Sequence, residues 1–208
     1  MPDIERWQAT WKGLGVEPPE TDLYAVIRAR YAESHRSYHT IQHLDECFAH
    51  LDEARHLADN VHEVELALWF HDAVYEVRGQ DNEERSASWA RDASIQHGVA
   101  GSVAEQIHQL VLATKHDATP TSPDAALLVD IDLAILGAAA QRFDEYERQV
   151  RQEYSWVPRF LFRRKRCEIL QAFLARPHIY STDHFRGRYE MSARANLARS
   201  IERLGANK

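Results

Sequence analysis

Apolar residues recur along most of the chain at spacings of three and four, which is the period of a helix. Ile41, Leu44, Phe48 and Leu51, for example, fall on one face of a single predicted helix. No run of alternating apolar and polar residues indicates a strand. The pattern predicts an all-α fold with helices over about 3–13, 21–33, 40–58, 61–75, 81–97, 102–114, 124–136, 138–156, 159–175 and 183–204.

The predicted helix over 61–75 contains the most informative stretch. Leu66–Phe70 is apolar on every side, which predicts a buried helix, and it continues directly into His71 and Asp72. A buried carboxylate is costly unless a positive group compensates it. A metal ion held by Asp72 and the adjacent imidazole is one such group. A helix cap or an arginine partner for Asp72 is the alternative.

Two further clusters combine metal-ligand side chains with apolar surroundings. His39 and His43 are four residues apart, so they share a helix side if the helix has begun there, with His43 at a half-buried rim position. Two surface histidines are the alternative. Asp130 and Asp132 stand within an apolar run and point in nearly opposite directions on a helix. One of them is therefore expected to face a site while the other finds a cap or a basic partner.

Composition narrows the class of protein. The 208 residues are enough for one domain with a sizeable core, and the net charge of −7 argues against nucleic acid as a partner. There is no signal-peptide pattern and no apolar run long enough for a membrane span. Two cysteines cannot form a disulfide scaffold, so we expect a cytoplasmic chain. Trp7, Trp11 and Trp156 fit a homo-oligomer interface or a core position equally well.

The order His43, then His71-Asp72, then Asp132 resembles the motif of the HD superfamily of metal-dependent phosphohydrolases. The element from Tyr38 to His43 is similar to one found in cyclic-nucleotide phosphodiesterases of that superfamily. The whole chain resembles a group of bacterial proteins identified as predicted HD phosphohydrolases. The stretches that carry this resemblance are 38–43, 69–75, 81–87, 114–116, 128–137 and 190–197.

The resemblance implies a fold, a cofactor and a reaction. It implies a single HD-domain helical bundle over 1–208, with the metal-site motifs within 31–137 and C-terminal helices 138–208 packing on them. It favours Asp132 over Asp130 as a metal ligand, together with His43, His71 and Asp72. The cofactor would be a divalent transition metal (Mn, Fe, Co, Ni or Zn), with Mg as a further option. His39 and Asp72 would be catalytic, and the substrate a nucleotide or other small phosphate ester.

Several residues near these motifs are candidates for supporting roles. His116 is a candidate ligand for a second metal or for substrate, because no other histidine follows closely after Asp72. Arg36 and Lys115 are candidate phosphate-binding residues, unless they are solvated charges. Asp81, Glu83 and Asp130 are candidates for an outer shell around the metal. For Asp81 and Glu83, which follow the His-Asp pair, a helix cap and solvated charges are the alternative.

Two other functions remain open. An HD-fold di-iron oxygenase needs extra histidines between Asp72 and Asp132, and the chain offers His97, His108 and His116 there. A non-catalytic, metal-stabilised module that binds a nucleotide or acts as a sensor needs only the metal ligands. The sequence favours the phosphohydrolase because His39 accompanies an intact set of ligand motifs.

Overall fold

The structure is a computed structural model that describes residues 3–19 and 21–205. These residues form ten α-helices and no strand, which confirms the predicted all-α fold. Two short 3-10 segments, Arg55–Leu57 and Leu133–Gly137, follow α3 and α7. The helices are α1 Ile4–Gly13, α2 Thr21–Tyr31, α3 Ile41–Ala54, α4 Val61–Phe70, α5 Asn82–Gln96, α6 Gly101–Ala113, α7 Pro123–Asp132, α8 Ala140–Glu153, α9 Arg159–Leu174 and α10 Asp183–Gly205.

The chain divides into two compact units, one up to Ile131 and one from Asp132. The boundary falls at the last residue of α7. The expectation of a single domain over 1–208 stays a prediction. No described helix combines the length and the apolarity that crossing a bilayer requires.

Helix α4 is the centre of the first unit. Every residue from Glu63 to Phe70 is buried, and the helix contacts α1, α3, α5 and α6. Glu65 of this helix is buried and pairs with Arg6 at 2.7 Å and with Arg55 at 3.3 Å. These two ion pairs offset the cost of burying the Glu65 carboxylate. The prediction of a buried helix at Leu66–Phe70 is confirmed.

A cluster of aromatic rings covers one side of α4. Trp7 and Trp11 of α1 are fully buried, so in this structure they belong to the core, whereas Trp156 is half exposed. The Trp7 ring meets Trp69 edge to face at 5.3 Å between centroids, a favourable geometry for two aromatic rings. This packing fixes α4, and therefore the residues at its end.

The second unit contains the 3-10 segment Leu133–Gly137 and the helices α8, α9 and α10. The Asn196 amide on α10 donates to the carbonyls of Leu136 and Ala138 at 2.9 and 2.8 Å, and Tyr180 donates to Leu133 at 3.1 Å. Glycine at position 137 allows α10 to pack closely against the 3-10 segment, because a Cβ there would lie only 2.6 Å from the Tyr189 side chain. The side chains therefore satisfy carbonyls that the irregular end of the helix leaves open.

Candidate metal centre

Helix α4 is shorter than predicted, and its end creates the site. The helix stops at Phe70 rather than continuing to Tyr75. In a longer helix, the backbone N–H groups after Phe70 would donate to carbonyls of the same helix. Here some of them donate to side chains of other segments instead. The Asp72 N–H donates to the Tyr31 hydroxyl at 3.3 Å, and the Val74 N–H donates to Ser86 at 3.0 Å. His71 and Asp72 consequently lie in a turn instead of within the helix.

The hydrogen bond of His71 determines which ring nitrogen faces the site. Its Nδ1 lies 2.8 Å from the Leu68 carbonyl, which can only accept, so Nδ1 carries the proton. The lone pair of Nε2 is then directed away from α4. A metal-ligating histidine commonly has its other nitrogen held in this way.

His43 comes to the same point from the first turn of α3. The helix begins after Thr40, whose hydroxyl accepts from the Gln42 N–H at 3.3 Å, as expected of an N-cap. The Tyr38 hydroxyl lies 3.0 Å from Nδ1 of His43, leaving Nε2 on the inner side. The prediction of a half-buried rim position is wrong: His43 is 2% exposed because the Tyr38 ring and the His71 ring cover it.

Three ligand atoms converge at the end of α4. Nε2 of His43 and Nε2 of His71 are 3.1 Å apart, and Oδ2 of Asp72 lies 3.1 Å from His71 and 3.5 Å from His43. Ligand atoms about 2.1 Å from one ion are separated by about 3.4 Å in tetrahedral and about 3.0 Å in octahedral coordination. The observed separations therefore suit one divalent ion.

The sulfur of Cys47 is the member of the site that the sequence analysis missed. This sulfur and the ligand atoms of His43 and His71, all within the first unit, lie within 4.8 Å of one another, so these residues could hold a metal ion. Asp132 is the first residue of the second unit, and its role as a ligand stays a prediction. Cys47 stands one helical turn after His43 on α3, and its sulfur lies 3.7 Å from the His43 ring nitrogens. The four-residue spacing of His43 and Cys47 was the available signal.

The electrostatics of the site favour an ionised Asp72. Burial opposes ionisation, but the neighbouring imidazoles, that of His71 first, hold the Asp72 pKa well below its usual value. Burial and the Asp72 charge together raise the pKa of Tyr31. The site thus presents a carboxylate beside two imidazoles and a neutral phenol, which is a donor set for a cation.

Arg36 supports the site rather than a substrate. Its side chain is fully buried and donates to the carbonyls of His39, Asp72 and Ala73 at 3.2, 2.6 and 3.3 Å, while pairing with Glu33 at 3.0 Å. The expected phosphate-binding role of Arg36 is therefore corrected, because these acceptors occupy its guanidinium. The same bonds connect the turn before α3 to the turn after α4.

His39 lies beside the site but not on α3. It precedes the N-cap Thr40, so it does not share a helical face with His43. Its ring stacks on Tyr75 at 4.1 Å between centroids and lies 6.2 Å from the His43 ring. His39 is also close enough to Asp72 for its charge to lower the pKa of that carboxyl. The arrangement allows His39 to serve a molecule at the site without holding the ion.

The remaining candidates lie outside the cluster of convergent ligand atoms. Lys115 pairs with Glu84 at the surface, and this carboxylate, with Asp117 and Glu83 nearby, raises the pKa of Lys115, whose phosphate-binding role stays a prediction. His116 is half-buried in the turn after α6 with a positive φ of 56°. The expected acidic outer shell divides into a largely exposed Asp81 near Arg85, a half-buried Glu83 in the first turn of α5 and a fully buried Asp130.

The extra histidines needed for a di-iron site are also apart from the cluster. His97 meets the Trp11 ring edge to face at 5.6 Å. His108 on α6 lies near Glu105 and Gln109 of the same helix. Neither contact directs an imidazole to the end of α4.

Comparison of the chain with protein-family models, with curated proteins and with solved structures finds no match. The helical fold and the cluster at the end of α4 therefore stand on the chain's own residues. What they define is an all-α protein with a candidate metal centre.

Proposed function

We propose that the chain is a metal-dependent phosphohydrolase of the HD type, which uses water to cleave a nucleotide or another small phosphate ester. The observation that carries the proposal is the convergence of two Nε2 atoms and one carboxylate oxygen, from His43, His71 and Asp72, within 3.5 Å. The order of these residues along the chain, with Asp132 after them, resembles the HD motif.

The donor set indicates which ions fit. Mixed imidazole and carboxylate ligands suit Mn, Fe, Co, Ni or Zn. A sulfur from Cys47 would make the site softer, which favours Zn or Fe over Mg. His43, His71, Asp72 and Asp132 would hold the ion, with Cys47 as a further donor.

The residues have distinct roles in this proposal. When bound, a divalent ion supplies an activated water and neutralises charge on the phosphoryl group. Asp72 contributes a permanent negative charge, and Leu68 and Tyr38 orient the two imidazoles. His39 would donate a proton to the leaving oxygen, a role that suits a side chain titrating near neutral pH.

The test combines metal loading with a hydrolysis screen. The purified chain is loaded separately with Mn, Fe, Co, Ni, Zn and Mg and assayed on nucleoside mono-, di- and triphosphates, cyclic nucleotides and nitrophenyl phosphates. We expect turnover with at least one transition metal. His71→Ala should lose both the metal and the turnover, whereas the exposed His178→Ala should retain both.

Each alternative function gives a different result in the same experiment. Metal bound through His71 without hydrolysis of any ester would replace the proposal with the metal-stabilised sensor. Two irons per chain with oxygen consumption would replace it with the oxygenase. Equal metal content in wild type and His71→Ala would remove the metal centre itself.

A further inference from the structure

A cavity lies beside the first turn of α4, within the first unit. Its volume is about 540 Å³, within the range of roughly 300–1,000 Å³ that is usual for small-molecule sites. It begins about 12 Å along α4 from His71, at a rise of about 1.5 Å per residue. None of the described residues that line it is a lysine, arginine or histidine. Its acidic lining residues are Asp59, Glu63, Glu105, Asp117 and Asp124.

Glu63 is a buried residue of this cavity whose carboxylate has neither an ion pair nor a hydrogen bond among the described residues. It is 8% exposed. Burial and the Asp124 charge raise its pKa. Its carboxyl oxygens keep contact with the solvent of the cavity, so a cation that enters can pair with a carboxylate that has no other partner.

Asp124 lines the same cavity, but its carboxylate has a structural role. Its two oxygens accept from the backbone N–H groups of Asp59 and Asn60 at 2.7 and 3.0 Å. It therefore holds the segment that leads into α4. Glu63 accepts no such hydrogen bonds; it lies in the first turn of α4 and faces the same cavity.

The distribution of the acids distinguishes an organic cation from a metal ion. Among the described residues, the group with ligand atoms converging within 4.8 Å is the one at His43, and the acids of this cavity form no such group. Apolar and amide side chains, including Leu110, Ala125 and Gln109, line the same cavity. Carboxylates that do not converge on one point, in a cavity that also has apolar lining, suit a chain of methylene groups that carries several ammonium groups.

We propose that this cavity binds a small organic polycation of the polyamine class, with one ammonium group paired to Glu63. The remaining ammonium groups pair with the more exposed acids at the cavity rim. This binding is independent of the candidate metal centre and of the proposed hydrolysis.

The test is calorimetric titration of the full chain with spermidine at low and at physiological salt. We expect saturable binding of one molecule per chain that weakens as salt increases. Glu63→Gln keeps the shape of the side chain and should weaken binding by roughly tenfold to a hundredfold, the scale of a lost charge-assisted hydrogen bond. Glu202→Gln is the matched control, because it makes the same change of charge at an exposed position of α10.

Folding and specificity are checked separately. Without ligand, Glu63→Gln should melt at or above the wild-type temperature, because it removes an unpaired buried acid. Absence of saturable spermidine binding to the wild type would overturn the proposal. So would an equal loss in Glu63→Gln and Glu202→Gln, or Mg²⁺ binding that depends on Glu63 while spermidine binding does not.

Discussion

Replacing Arg36 with methionine is the most direct test of how the candidate metal centre is held together. The side chain of Arg36 is fully buried, and its guanidinium donates to three carbonyls on two separate turns. Methionine keeps most of the length and apolar contact of the arginine stem but removes every donor. Arg36→Met therefore separates the bonds to the turns from the packing of the side chain.

The expected loss of stability follows from these contacts. A hydrogen bond from a charged donor contributes about 1.5–3 kcal/mol, and removing one partner of a buried charged group typically costs about 3–5 kcal/mol. The Glu33 pair adds less, because that carboxylate is 27% exposed and regains water. We expect Arg36→Met to lower the free energy of unfolding by about 3–5 kcal/mol, a large part of the ~5–15 kcal/mol of a typical domain.

The assay is urea denaturation followed by circular dichroism, with metal affinity measured in parallel. Arg30→Met is the matched control, because Arg30 pairs with the same Glu33 at 3.0 Å but is 49% exposed. An exposed pair of this kind contributes about 0–1 kcal/mol. Metal affinity should fall by about tenfold to a hundredfold in Arg36→Met, as is usual when support for metal ligands is removed.

Equal stability of Arg36→Met and Arg30→Met would refute this reasoning. If Arg36 instead bound a substrate phosphate, Arg36→Met would unfold like the wild type and show only a raised KM. A normal unfolding curve with unchanged metal affinity would therefore return Arg36 to its originally expected role.

The remaining predictions concern individual residues of the site. Asp132→Asn should lose the metal while Asp130→Asn retains it, and elemental analysis showing the reverse would exchange the two assignments. His39→Ala should keep the metal and lower turnover by roughly a hundredfold on esters with poor leaving groups, but less on nitrophenyl phosphates, which need little protonation; equal losses on both would exclude a general acid. Cys47→Ser should weaken Zn binding more than Mg binding in competition titrations, whereas an equal effect would show that the sulfur is not a ligand.

The helices could be predicted well because their signals are local. The apolar face of α3, its N-cap Thr40 and the continuous apolar stretch of α4 are all determined by residues close together in the chain. The end of α4 could not be predicted in this way. Its backbone groups bond to Arg36, Tyr31 and Ser86, which lie 12 or more residues away in sequence.

The candidate site was predicted in part for the same reason. His43, His71 and Asp72 were identified from their order and their apolar context, and the structure brings them together. Cys47 was overlooked because a cysteine on an apolar helix face also fits a core position. The role of Arg36 depended on which acceptors surround it, and spacing along the chain does not reveal these.

The position of the site at the end of α4 also bears on the order in which the proposed metal and phosphate ester would bind. The peptide dipoles of a helix place a partial negative charge at its C-terminal end. A phosphate approaching this end without a cation would meet that partial charge together with the ionised Asp72. The cation, in contrast, is attracted by both. If the site processes a phosphate ester as proposed, we expect the metal to bind first and the ester second.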